Sequence, residues 1–254
     1  MKARHDQHFL IDAGAIDRIA DVIPLNGKIV LEIGPGNGAL TAALLARGAT
    51  VHAIELEYDL CADLSSRFSF EIAAGALTII HGDAGRCSLP PFSVVVSNLP
   101  YSISSKITFR LLDAGFEAAV LMYQSEFADR MMAPAGTKKC GRLSIMVQTY
   151  AAIERCFTLP PNCFTPRPQV QSTVVRLYPR PPLFPIADRK RYADLVRALF
   201  VHRRKTVRNC LRGSGGLLEP AWVGRVISSL PDEILTSRPE ELYLEDFATI
   251  ANIV

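Results

Sequence analysis

Apolar runs and helix-spaced stretches alternate along the first two thirds of the chain. Short apolar runs stand at 28–33, 50–55, 77–81, 93–98 and 118–123. Between them, segments 38–47, 57–67 and 104–114 repeat apolar positions at helical spacing. Strand and helix in repetition predict a mostly parallel sheet with helices on both faces. Two further β-rich runs, 143–152 and 172–178, are separated by an irregular segment, 153–171, with no helical crossover. They predict an antiparallel pair at the sheet edge. Prolines at 179, 181, 182 and 185 mark a boundary. Beyond it, 188–212, 219–229 and 240–252 read as helices, the first ended by Gly213, Gly215 and Gly216. The expected organisation is an α/β domain over residues 1–182 and a small helical domain over 183–254.

Composition adds the class of protein. Of 254 residues, 49% are hydrophobic and 21% charged, which excludes disorder as the main state. No apolar run reaches the roughly 18 residues that span a bilayer, and the polar N-terminus lacks an apolar signal core. Neither secretion nor membrane association is expected, and the location predicted is cytoplasmic. Six cysteines, at 61, 87, 140, 156, 163 and 210, include no Cys-x-x-Cys pair. They read as reduced thiols rather than metal ligands, and no metal is expected.

The formal net charge of +3 is unevenly placed. Residues 183–218 hold nine Lys/Arg against two Asp/Glu, whereas 219–254 hold two against seven. Arg197, Arg204 and Arg208 fall at helical spacings of seven and four, so a continuous helix would put them on one face, broadened by Arg203, Lys205 and Arg212. A solvated helix face explains most such runs; phosphate binding is the functional alternative. The loop 134–142, with Lys138 and Lys139, is a candidate RNA-contacting flap.

The chemistry lies at the strand ends. Residues 32–38 read Glu-Ile-Gly-Pro-Gly-Asn-Gly directly after the first strand. Such glycines let a backbone turn sharply against a ligand, with a helix N-terminus aimed at it. Gly34, Gly36 and Ala39 satisfy a dinucleotide fingerprint; residues 32–38 satisfy in full the pattern of S-adenosyl-methionine enzymes. Glu55, 21 residues after Gly34, can accept from ribose hydroxyls of either cofactor. Asp83, after the third strand, can accept from an adenine amino group or form an Asx-turn. Asn98-Leu99-Pro100-Tyr101 ends the fourth strand and separates the two cofactor classes. The adenine N6 lone pair is delocalised into the ring and is a poor nucleophile. The Asn98 oxygen and the carbonyl of Leu99 or Pro100 can accept its two N–H bonds, favouring the pyramidal nitrogen that attacks a methyl group. Tyr101 offers a stacking face.

Gln7-His8-Phe9-Leu10, Glu32–Gly38, Glu55, Asp83, Asn98–Tyr101 and Phe164-Thr165-Pro166-Arg167-Pro168-x-Val170-x-Ser172 occur in one order. Together with Ala198-Leu199-Phe200 and the basic stretch that follows, they resemble the small-subunit ribosomal RNA adenine dimethyltransferases, the KsgA type. The resemblance runs from about residue 5 to the C-terminus. It departs at Asp6, where a glycine is usual, and at His8, where many members carry Asn. The resemblance implies a Rossmann-like S-adenosyl-methionine-dependent methyltransferase sheet with a helical, basic, RNA-binding C-terminal domain. It implies that His8 and Leu10 close over the cofactor and that Gly34 and Gly36 abut it. Glu55 would hold the ribose, Asp83 the adenine, and Asn98 would contact the cofactor and stand beside the reacting amine. Phe164 would sandwich the target adenine opposite Tyr101.

The implied reaction gives N6,N6-dimethyladenosine at two adjacent adenosines of a small-subunit rRNA hairpin loop, on a pre-small ribosomal subunit. The target base must be extruded or lie in an exposed loop. No exposed apolar repeat suggests an interface, so a monomer is expected. Three other readings compete. A NAD-linked oxidoreductase would leave Asn98–Tyr101 idle. A large-subunit or DNA adenine methylase would share the core. A ribosome-assembly factor would keep the fold with methylation secondary.

Overall fold

Five consecutive apolar runs form the parallel part of one sheet in a computed structural model, which describes residues 7–254. The strands are β1 (Phe9–Leu10), β2 (Ile29–Ile33), β3 (Thr50–Glu55), β4 (Leu77–His81), β5 (Val94–Asn98), β6 (Ala118–Gln124), β7 (Ala151–Leu159), β8 (Phe164–Thr165) and β9 (Ser172–Pro179). Seven of them make the main sheet in the order β4-β3-β2-β5-β6-β9-β7. Strands β2 to β6 pair in parallel, and β9 runs antiparallel to β6. The central strands are apolar throughout because both faces are covered: β2, β5 and β6 are buried over nearly their whole length. A separate ribbon pairs β1 with β8.

The covering helices in this part are α1 (Ala13–Ala20), α2 (Ala39–Ala46), α3 (Tyr58–Arg67), α4 (Ser69–Ala73) and α5 (Ser104–Ala114), with α6 (Ser125–Met131) following β6. The chain runs β2, β3, β4 outward in one direction and returns to lay β5 on the other side of β2. The order therefore reverses between β2 and β5, where the strand ends of an open sheet leave a crevice. There the strands diverge. Their ladder joins Val30 to Val94 and Leu31 to Val95, and beyond it the buried Ser97 hydroxyl takes over. It accepts from the Ile33 N–H (2.5 Å) and donates to the Ile33 carbonyl (3.1 Å), so the splayed backbone stays satisfied.

Three expectations from the sequence pattern are corrected. Segment 143–152 is not a strand: helix α7 (Arg142–Tyr150) occupies it, and the strand begins only at Ala151. Leu143, Ile145, Met146, Val147 and Tyr150 are all buried, so the helix is apolar on nearly every side and carries no 3.6-residue signal. The segment 153–171 is likewise not irregular, since β7 runs to Leu159 and β8 lies within it. Segment 188–212 is two helices, α8 (Arg189–Val201) and α9 (Val207–Arg212), not one. Thr206 caps the second, accepting from the Asn209 N–H at 3.4 Å. Arg197 lies on α8, Arg204 in the intervening turn and Arg208 on α9, so they do not share one helical face.

The chain divides into two compact units, residues up to 128 with 152–179, and residues 129–151 with 180–254. The second unit holds α7, α8, α9, α10 (Pro220–Ser229), α11 (Asp232–Thr236) and α12 (Leu244–Ala251). Segment 129–151, placed by sequence in the first domain, thus clusters with the C-terminal helices. Within that unit the buried Tyr192 hydroxyl bonds Thr149 (2.9 Å), and Gln148 donates to the carbonyls of Met131 and Ala133. All six cysteines are free thiols, and burial raises the pKa of five of them: Cys61, Cys140, Cys156, Cys163 and Cys210. Among the described residues no group of three or more His, Cys, Asp or Glu could hold a metal ion. No helix among them is long and apolar enough to cross a membrane.

Candidate active site

The reversal between β2 and β5 opens into a cleft lined from the carboxyl ends of β2, β3 and β5 and by the chain around β1. The glycine loop forms its floor. Gly34, Gly36 and Gly38 all adopt positive φ, at 68°, 58° and 76°. Gly36 has a second reason to be glycine, because a Cβ there would meet the Phe9 ring at 2.8 Å. Glu55 binds this loop: its Oε2 accepts from the Gly36 N–H (3.2 Å), and Oε1 accepts from the N–H groups of Leu56 (2.8 Å) and Glu57 (3.0 Å). A carboxylate has roughly four lone-pair sites, so about one remains for a ligand hydroxyl.

Glu32, the first residue of the 32–38 motif, has no role that residue type and spacing assign. It lines the cleft at 1% exposure, and its Oε2 accepts from the Thr41 hydroxyl at 2.7 Å. Burial pushes its pKa up to about 8. The Thr41 hydrogen bond opposes this, and the charge of Glu55 adds to it. The signal was present, a carboxylate inside an apolar strand beside a second one, but its burial was not legible in one dimension.

Asn98 and Tyr101 stand at the mouth. The Asn98 Nδ2 donates to the main-chain carbonyl of His8 at 3.1 Å. The His8 Nδ1 lies 2.7 Å from the Pro166 carbonyl, and its ring is 5.6 Å from the Tyr101 ring at a 37° tilt. Tyr101 Oη meets Ser172 Oγ at 2.7 Å. His8, Leu10, Gly34, Gly36, Glu55, Asn98, Leu99, Pro100 and Tyr101 are therefore brought together around one cleft.

Other predicted residues lie elsewhere. Phe164 does not line the cleft. It is 1% exposed in the apolar core, opposite Leu10 in the β1–β8 ribbon, and has no ring face open to a base. Asp83 is not in the lining either; its Oδ1 accepts from the Gly85 N–H (2.7 Å) in an Asx-turn, and its Oδ2 pairs with Arg86 at 3.2 Å. In the second unit Lys138, Lys139, Arg197, Arg203, Arg204 and Lys205 are exposed. Arg208 is half-buried and ion-paired with Asp232 at 2.5 Å. Asp6 lies outside the described residues.

A glycine-turn cleft at the switch point, with a carboxylate ending β3 and Asn-Leu-Pro-Tyr starting at the end of β5, defines an α/β methyltransferase. Comparison with known proteins narrows this. The family model described as ribosomal RNA adenine dimethylase matches residues 1–222. The chain is 61% identical over 252 residues to a probable ribosomal RNA small subunit methyltransferase A of Methanospirillum hungatei, covering 99% of this chain and 98% of that one. A protein of the same description from Halobacterium salinarum is 44% identical over 252 residues, covering 98% and 88%. Among solved structures, a dimethyladenosine transferase from Plasmodium falciparum superposes with a TM-score of 0.78 at 27% identity, covering 96% of both chains. The 23S rRNA methyltransferase ErmE gives 0.67 at 27%, covering 95% and 99%. The chain belongs to the ribosomal RNA adenine dimethylase family. It is an S-adenosyl-methionine-dependent methyltransferase acting on rRNA adenine.

Proposed function

We propose that the chain dimethylates N6 of two adjacent adenosines in a hairpin loop of small-subunit rRNA, on a pre-small ribosomal subunit, as a cytoplasmic monomer. The observation that carries the chemistry is the Asn98–His8 hydrogen bond, because it orients the amide at the cleft mouth.

The cleft suits the cofactor on its own geometry. The glycine loop leaves backbone bare where a Cβ of Gly34 would press on Pro100 at 3.3 Å. Glu55 keeps an acceptor site beside it, and Leu10 and His8 form part of the wall. Gly34, Gly36, Glu55, His8 and Leu10 would hold S-adenosyl-methionine, which when bound supplies an electrophilic methyl on its sulfonium. Asn98 turns its Nδ2 to the His8 carbonyl, donating one of its two N–H groups there, and its Oδ1, the acceptor end of the amide, would accept from an adenine N6–H. That hydrogen bond draws charge onto N6 as its lone pair leaves the ring. The Leu99 carbonyl takes the second N–H, because the Pro100 carbonyl already accepts from the Ile103 N–H (3.2 Å) and the Ser104 hydroxyl (3.3 Å). Tyr101 gives the base a ring to stack on. Catalysis is positioning and polarisation. The exposed Arg203, Arg204 and Lys205, with Arg197, Lys138 and Lys139, supply phosphate contacts.

Labelled S-adenosyl-methionine, offered to unmodified small and large ribosomal subunits side by side, tests the reading. Dimethyladenosine confined to small-subunit rRNA is expected. Label on the large subunit alone would refute the substrate assignment, and absence of label on either would refute the activity on mature subunits.

A further inference from the structure

Tyr101 is held from two directions. Its ring leans on His8, and its phenol oxygen meets Ser172 Oγ at 2.7 Å. Ser172 is fully buried at the first position of β9, and its backbone is set by pairing with Gln124 of β6. It is therefore a fixed point on the sheet. Tyr101 lies instead in a short turn, partly exposed, after β5 has ended. A tyrosine side chain has two rotatable angles. Pinning its far oxygen to a rigid strand determines both, and so determines the plane of the ring. The adjacent Thr173 is equally buried but bonds Ser125 at 2.8 Å. The two hydroxyls that open β9 thus serve different neighbours.

A stacking surface gains most when its plane is set before the base arrives, because otherwise binding must order the ring as well. We propose that Ser172 is a positioning residue for methyl transfer, acting through the Tyr101 hydroxyl to hold the phenol ring in the attitude that receives the target adenine. This rests on the reading of Tyr101 as the stacking face.

The test compares Ser172→Ala, Tyr101→Phe and the double variant in methylation of unmodified small ribosomal subunits, with equilibrium binding of S-adenosyl-methionine measured alongside. Each single variant removes one side of one hydrogen bond, so kcat/KM for the subunit should fall about three- to tenfold. The double variant should be no worse than either single one. Cofactor affinity should change less than about twofold, since Ser172 does not line the cleft. Thr173→Val controls for burial: its melting temperature should drop as for Ser172→Ala while kcat/KM stays unchanged. Unaltered kcat/KM in Ser172→Ala, multiplying losses in the double variant, or an equal loss of cofactor affinity would each overturn the proposal. If Ser172→Ala does not fold, Tyr101→Phe removes the same bond and decides alone. Tyr101→Ala separates the two readings. Full activity in that variant removes the stacking role and the anchor with it. Strong loss there with a normal Ser172→Ala removes the anchor only.

Discussion

The Asn98 side chain is oriented by the main chain of His8: Nδ2 donates to the His8 carbonyl across 3.1 Å, although 90 residues separate them. An N-terminal segment thereby determines which end of an active-site amide faces the substrate. Asn98→Ala removes the acceptor that polarises N6. Turnover should fall about 10²- to 10³-fold, by analogy with loss of a single oxyanion-hole donor. S-adenosyl-methionine affinity should change little. Single-turnover methyl transfer with parallel cofactor titration checks this; unchanged single-turnover chemistry would remove Asn98 from the mechanism.

Gly36→Ala places a Cβ on a residue at φ 58° and drives it to 2.8 Å from the Phe9 ring. A left-handed backbone costs a non-glycine residue about 1–2 kcal/mol, and the loop or Phe9 must also shift. The variant should melt at lower temperature and bind S-adenosyl-methionine at least about tenfold more weakly. Calorimetry and a cofactor titration measure the two effects. Wild-type affinity would mean that the loop does not cradle the cofactor.

Glu32 makes the unliganded protein's stability depend on pH. Its carboxyl, raised by burial from 4.5 to about 8, keeps its proton when folded over a range in which the unfolded chain has lost it. The folded state then binds more protons, so stability is full below about 4.5 and declines as pH rises towards about 8. Glu32→Gln, neutral at every pH, should flatten that decline. Urea midpoints at pH 5 and pH 8.5 decide it; parallel declines in both proteins would count against a buried, protonated Glu32.

Replacing Arg203, Arg204 and Lys205 together by Ala should weaken RNA binding and leave cofactor binding intact. For every phosphate that these cations no longer neutralise, the slope of log affinity against log salt should become shallower by about 0.7–0.9. RNA titrations at several salt concentrations read this directly, and an unchanged slope would show that these residues carry no phosphate.

Arg208 is different, because its guanidinium already faces Asp232 within the helical unit. A surface pair of this kind contributes about 0–1 kcal/mol. Arg208→Ala should therefore shift the melting temperature slightly and affect RNA affinity less than any one of the three exposed cations. A larger loss of RNA affinity than theirs would reassign Arg208 to the RNA surface.

Much of the parallel sheet was legible because its strands are short apolar runs, most of them set apart by segments of helical length. Segments 50–55 and 77–81 are strands over the predicted spans, and 104–114 is a helix over its predicted span. Helix α7 was not legible, because a helix buried on most sides has the composition of a strand. The break at 202–206 was also missed. Nothing in His-Arg-Arg-Lys-Thr forbids a helix, and the capping bond of Thr206 appears only once the chain has turned.

By itself, the sequence determined the chemistry on offer: a glycine turn, a carboxylate after the next strand, and an Asn-Leu-Pro-Tyr end that suits an exocyclic amine. These are local properties, set by residue type and short spacing. Only the tertiary structure decided which groups share a cleft. Strand order put β2 beside β5, so Glu55 and Asn98 line one crevice while Asp83 turns into its own loop. Pairing of β1 with β8 buried Phe164 and delivered the His8 carbonyl to Asn98. Such contacts join residues tens of positions apart, and their existence depends on how strands pair and on what that pairing buries.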